Sequence, residues 1–195
     1  MAPQSGMMGA PMTTLVHGAV TIRPYAAADA PLLYTAARES LDTVGCWLPW
    51  CHPGYQLSDA QAWIATSTER WNLGLDYPFG IFDTDTQAFL GGVGINRVAR
   101  EHAMGNLGYW VRSSAAGRGI APVAATLAGR FGLCEGRLVR LEIVIPVGNT
   151  RSQRVAEKLG AHYEGVARHR LIVKGQSVDA WQYSLTRHDS IANAT

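Results

Sequence analysis

Residues 108–121, GYWVRSSAAGRGIA, decide the fold. Tyr109, Trp110 and Val111 are types that favour a pleated, half-buried strand. Gly117 and Gly119 follow, with no side chain to keep an anion away from the main chain. Pro122 occupies a first-turn helical position, where its fixed φ fits and its missing N–H costs nothing. A strand that breaks into a glycine turn and opens a helix leaves several backbone N–H groups converging, which suits a phosphate. The helix dipole contributes roughly 0.3–1 kcal/mol per nearby charge and each charge-assisted N–H bond about 1.5–3 kcal/mol, so the amides carry most of the holding. The same G-x-G spacing also fits an ordinary glycine turn, and a second motif is needed to separate the two readings.

That motif comes about thirty positions later, in LVRLEIVIPVGNTRSQRVAEKLGA, residues 138–161. An apolar strand (138–145) leads through a polar turn into a short helix (149–159). Thr150 and Gln153 have capping-box spacing, Lys158 lies in the last turn, and Gly160 is placed to end the helix.

With these two stretches in the same order, the chain resembles the GNAT superfamily of N-acetyltransferases. The resemblance rests on Gly117-Arg118-Gly119-Ile120-Ala121 and on Asn149-Thr150-Arg151-Ser152 running into Val155-Ala156-Glu157-Lys158-Leu159-Gly160, and it covers about residues 20–185. The phrases Trp47-Leu48-Pro49-Trp50 and Leu107-Gly108-Tyr109-Trp110 are most similar to the RimJ/RimL-type branch, which acetylates protein N-termini.

The resemblance implies acetyl-CoA as cofactor. The backbone of Tyr109, Trp110 and Val111 would pair with the pantetheine arm, and Arg112, Ala116, Gly117, Arg118, Gly119, Ile120 and Ala121 would surround the pyrophosphate. Asn149 would bond the cofactor near its reactive end, and Ser152 would protonate the departing thiolate, the alternative for Ser152 being a helix-entry residue that caps its own backbone. Trp47, Trp50 and Tyr55 lie in the loop where the superfamily shapes its acceptor site; they read either as walls of a peptide groove or as core anchors for two helices.

Two positions depart from the family pattern. Ala116 stands where Gln or Arg is common, which removes a side-chain contact but leaves the main chain. Leu171 and Asn106 stand at the two positions where a family carboxylate would act as base. No base is carried over. Glu101 and His102 are local candidates just ahead of the Asn106 strand, as is water relayed through Asn106, while a charged pair in a turn also reads as plain surface.

Other features bound the function. At 195 residues, with 47% hydrophobic and 16% charged content, the chain reads as one globular domain. No apolar run reaches the roughly 18 residues that a membrane span needs, and no signal peptide is evident, so a cytoplasmic, membrane-free protein is expected. Residues 1–18 read as a flexible leader or an extended start ahead of Met12, 19–187 as the catalytic domain and 188–195 as a tail. Cys46, Cys51 and Cys134 form no C-x-x-C pair, and Cys51-His52 lacks a second ligand pair at zinc spacing, so neither a disulfide framework nor a metal is expected.

The net charge of +2 divides unevenly. Residues 1–96 carry three basic against eight acidic residues, a net −5, and residues 97–195 carry fourteen against seven, a net +7. This split suits an anionic cofactor on one side and a cationic amine on the other, or two solvated faces. No basic run with interleaved aromatics points to nucleic acid.

The element order βααβββαβαββ gives the fold class as α/β (α+β), one mixed and mostly antiparallel sheet flanked by helices, which agrees with the GNAT fold that the resemblance implies. The helices are read over about 28–41, 58–73 with a Ser58–Gln61 capping box, 121–135 and 149–159. Acetyl transfer to a primary amine is expected, the amine being the α-amine of a protein N-terminus or peptide. Alternatives are a small amine such as an amino acid, polyamine or antibiotic, or a non-catalytic acyl-CoA module. A Rossmann enzyme fits poorly, because G-x-G lacks its third glycine and comes in mid-chain. The exposed edge of the final hairpin suggests a homodimer.

Overall fold

The computed structural model describes residues 12–189 and 191. Eight strands, β1 (Leu15–His17), β2 (Val20–Pro24), β3 (Tyr77–Asp83), β4 (Phe89–Ala99), β5 (Met104–Val111), β6 (Arg140–Pro146), β7 (His162–Val173) and β8 (Gln176–Thr186), form one sheet. Four helices flank it: α1 (Ala30–Glu39), α2 (Leu57–Asn72), α3 (Ile120–Cys134) and α4 (Thr150–Lys158). The sheet order is β1-β2-β3-β4-β5-β6-β8-β7, and every neighbouring pair is antiparallel except β5–β6. This is the fold class expected from the sequence.

The core forms where α3 lies on the central strands. Phe131 of α3 meets Phe79 at 5.2 Å, Tyr77 at 5.3 Å and Trp71 of α2 at 5.5 Å between ring centroids, edge-on or tilted as aromatic quadrupoles prefer. Small residues bring α3 close to the sheet: a Cβ on Gly132 would stand 2.2 Å from Ile95 Cδ1. A second cluster joins α1 and α2 to the strands through Leu33, Ile64, Tyr25, Phe82 and Phe89.

The parallel pair carries the feature that matters for the site. β5 and β6 are paired for three residues only, Met104–Arg140, Gly105–Leu141 and Asn106–Glu142. β5 then continues to Val111 against β4, and β6 to Pro146 against β8. Beyond the Asn106–Glu142 rung the sheet is open as a wedge, with one edge of each strand unpaired among the described residues.

Several sequence expectations need correction. Leu15–His17, assigned to the leader, is a strand that turns at Gly18 and pairs with β2; residues 1–11 lie outside the described ones. In the tail, Ile191 is buried at 4% exposure, with Cδ1 2.9 Å from where a Gly129 Cβ would stand, while 190 and 192–195 lie outside the described residues. The start of α2 is closed not by Ser58–Gln61 but two residues earlier, where Asp59 accepts a bond from Gln56 N–H at 2.8 Å. The α4 cap is Asn149 rather than Thr150.

Candidate active site

The end of α1 holds the cradle segment in place. Arg112, just past β5, donates from Nε (3.0 Å) and Nη2 to Glu39, and from Nη1 to Phe89 O at 3.2 Å. Glu39 also accepts from Ser114 N at 2.7 Å, and Ser113 N donates to Ser40 Oγ at 3.1 Å. Residues Ser113–Ala115 form a single 3-10 turn, and Ala116 N donates back to Ser113 O at 3.2 Å.

Two cradle assignments change as a result. Arg112 spends its guanidinium on Glu39 and Phe89 and its amide on Leu90 O, and Ala116 spends its amide inside the turn. The amides of Gly117, Arg118, Gly119, Ile120 and Ala121 take part in no backbone hydrogen bond among the described residues. Gly117 (φ 79°) and Gly119 (φ 76°) both adopt left-handed backbone, and a Cβ on either would meet nothing of the protein within 4 Å. Amides without a backbone partner at the start of a fifteen-residue helix, beside two glycines with open space around them, fit a diphosphate. Arg118, whose side chain is 57% exposed and 4.0 Å from Asp83 Oδ2, stands at the rim.

Arg112 holds the Glu39 carboxyl at about 2. A carboxyl lowered by folding stabilises above its unfolded range and ceases to as pH falls through its folded value. The stability curves of wild type and Glu39→Gln, separated at pH 7, are therefore expected to converge as pH falls from about 4.5 to about 2, as denaturant titration at each pH would show.

Along the wedge, Tyr109 of β5 reaches α4. Its hydroxyl donates to Ser152 O at 2.9 Å, and Ser152 Oγ donates to the phenol oxygen at 3.2 Å. Burial pushes the Tyr109 phenol well up, so it stays protonated. Asn149 Oδ1 accepts from Ser152 N at 3.2 Å, which makes Asn149 the cap that sets the α4 entry. The structure thus brings Tyr109, Asn149 and Ser152 together on one side of the opening.

The aromatic loop divides between the two readings open to it. Tyr55 is buried at 8% exposure and belongs to the core. Trp50 is half-buried, 5.7 Å from Tyr55 and 5.2 Å from Trp110 between ring centroids. The half-buried Trp47 extends to the β6–α4 turn, its ring 3.8 Å from where a Gly148 Cβ would stand. Cys51 is buried and donates to Ala37 O.

The base candidates fare differently. Glu101 and His102 lie in the exposed turn Arg100–His102 ahead of β5, five and four residues from Asn106 and at the closed end of the pair. They stand at the opposite end of this three-residue pairing from the opening. Asn106 does lie at the opening, and its Nδ2 donates to Asn96 Oδ1 at 3.1 Å. Leu171 sits near the turn end of β7 opposite Val178. The carboxylates that do face this region, Glu142 and Glu164, were not singled out from sequence. The signal available there was the alternation of β6, in which Arg140 and Glu142 interrupt buried Leu141 and Ile143.

A sheet opened beside a parallel rung, next to a glycine turn with unpaired amides, suits an extended, phosphate-tipped ligand. Comparison with known sequences makes the class definite: the chain belongs to the GNAT acetyltransferase family, whose domain model matches residues 19–162. It is 30% identical over 122 residues, 62% of this chain and 67% of the relative, to YjcK of Bacillus subtilis, named a probable N-acetyltransferase. Matches to other curated relatives span 54% to 62% of their lengths.

Among solved structures, one from Vibrio cholerae, provisionally assigned as a ribosomal-protein-serine acetyltransferase, superposes with TM-score 0.78 at 29% identity over 91% of this chain and 99% of its own. The ribosomal-protein-S5-alanine acetyltransferase of Vibrio fischeri superposes with TM-score 0.83 at 20% identity over 91% and 98%, a likeness of fold.

Proposed function

We propose that the protein transfers the acetyl group of acetyl-CoA directly to the α-amine of a protein N-terminus or peptide within a ternary complex. The observation that carries this reading is the wedge beyond Asn106–Glu142, with unengaged amides at residues 117–121 at its wide end and the Tyr109–Ser152 hydroxyl pair along its side.

The cofactor supplies an activated acyl group and a good leaving thiolate. The amides of 117–121 hold its diphosphate, Arg118 at the rim meets further phosphate charge, and the free edge of β5 at Tyr109–Val111 aligns its arm. Holding the two reactants in register can supply up to about 7–11 kcal/mol of the barrier. Ser152 turns its hydroxyl proton from Tyr109 to the departing sulfur. Asn149 fixes that hydroxyl through the helix entry and not by a cofactor bond from its capping oxygen.

An α-amine is favoured over a lysine side chain by the cost of losing a proton at pH 7, about 1 kcal/mol against roughly 4.6 kcal/mol. The provisional ribosomal-protein assignment of the Vibrio cholerae neighbour supports the same acceptor class. One observation favours a second reading, a small amine: Trp47 against Gly148 narrows the mouth. The long outer strand β7, with Tyr163, Val166 and Ile172 exposed, supports pairing with a second copy.

Acetylation assays over a panel of N-terminal peptides, lysine peptides and small amines test the proposal; turnover confined to small amines overturns the acceptor class. With the best acceptor, Ser152→Ala is expected to lower kcat about 100-fold while leaving the acetyl-CoA Kd within about twofold.

A further inference from the structure

Neither family position carries a carboxylate here, and β6 brings one to the start of the wedge. Leu141, Ile143 and Ile145 are buried, so Arg140 and Glu142 stand on the opposite face. Glu142 is the register partner of Asn106 on the last rung before the wedge opens. Both side chains lie on the face that carries Trp110, four residues further along β5, and the Trp50 packed against it. Helix α1 packs on β4 and α2 on β3, and the Glu142 side chain keeps 21% of its surface exposed.

The two carboxylates here are held differently. Glu164 of β7 accepts from Arg140 Nη1 at 2.7 Å, from Arg140 Nη2 at 2.6 Å and from Ser184 Oγ at 2.8 Å. That set, with His162 nearby, keeps its carboxyl at about 2 and an anion throughout. Glu142 accepts a single bond from Arg140 Nη2, at 3.2 Å on Oε1, and its Oε2 accepts none among the described residues. One arginine between two carboxylates leaves a net negative charge where the wedge begins. The other polar residues on this rung are Asn96 and Asn106, which can orient an amine but cannot take its proton, Ser184 of β8, which donates to Glu164, and the exposed His162 on the outer strand β7, two strands away from Glu142 and from the wedge.

Building on the acetyltransferase reading above, we infer that Glu142 is the general base for the acceptor amine. The acceptor arrives as an ammonium, drawn by the unbalanced charge, and passes one proton to Glu142 Oε2. The neutral nitrogen forms the N–C bond to the acetyl carbon, and the C–S bond breaks. The sulfur gains a proton from Ser152 Oγ, which is refilled by the second proton that the nitrogen sheds as it becomes an amide. Glu142 returns its proton to solvent, so one ammonium and one thioester give one amide, one thiol and one H+.

The test is kcat/KM against pH from 6 to 9.5 for wild type, Glu142→Gln and Glu142→Asp, with acetyl-CoA Kd by calorimetry and a melting curve for each. Glu142→Gln is expected to lose about 100-fold or more in kcat/KM at pH 7, to recover about five- to tenfold toward pH 9.5 as the α-amine deprotonates unaided, and to keep its acetyl-CoA Kd. Glu142→Asp is expected to restore at least tenfold of the loss. A Glu142→Gln enzyme with the wild-type rate and pH profile overturns the inference alone. So does a loss that tracks a raised acetyl-CoA Kd or a lowered melting temperature and shows no recovery with pH. A wild-type chain that acetylates no amine overturns this inference together with the proposed function.

Discussion

Gly119→Val is expected to weaken acetyl-CoA binding by more than 100-fold. Gly119 has φ 76° and ψ 8° at the start of α3, and the space where a side chain would project holds no protein atom within 4 Å. A valine there occupies the volume that the diphosphate needs and drives the backbone out of its left-handed conformation, so several amides lose their aim together. At about 1.5–3 kcal/mol for each bond to a charged group, two lost bonds already exceed a hundredfold. The strain costs about 1–3 kcal/mol of stability as well, so a matched control is needed. Gly175→Val provides it: Gly175 has φ 76° in the β7–β8 turn with equally open surroundings, and should share the loss of stability without the loss of affinity. Calorimetric titration of both variants decides the matter; equal affinities would remove residues 117–121 from the diphosphate site.

Phe131→Ala is the substitution with the largest expected effect on stability. The ring is 2% exposed and packs against Trp71, Tyr77 and Phe79 at centroid distances of 5.2–5.5 Å, joining α3, α2 and β3. Truncating a buried phenylalanine costs about 3–5 kcal/mol, which for a chain of this length lowers Tm by roughly 6–20 °C. Ile172→Ala, at 60% exposure on β7, should stay within about 0.5 kcal/mol of wild type. A Phe131→Ala protein that melts with wild type would mean that the cluster is not the stabilising centre of the fold.

What the sequence made legible was local. Gly117, Gly119 and Pro122 mark the strand-to-helix turn within six residues, and Gly160 marks where α4 stops. What it hid depends on pairing between strands far apart in the chain. That β5 and β6 meet for only three residues is a property of register, invisible in either strand alone. The Arg140–Glu142–Glu164 contacts join β6 to β7 across β8, so the charges could not be matched in advance. Arg112 reads as a phosphate ligand from its place beside the glycines, yet Glu39, more than seventy positions earlier, claims it. Capping boxes were misplaced by one or two residues because Ser58 and Thr150 have the right chemistry, while the chain enters its helices at Gln56 and Asn149. Leu15–His17 passed for leader because a three-residue strand is too short to show alternation.

The two ribbon edges that face each other across the wedge are polar main chain with no strand partner among the described residues. A carrier lying between them acts as a stitch in the fabric, and mass action turns that stitch into endurance: at a hundred times its Kd a ligand adds about 2.7 kcal/mol. The lifetime of the molecule against heat and proteases then becomes a gauge of how much activated acyl donor its surroundings hold, with scarcity thinning the population of the enzyme as well as its turnover.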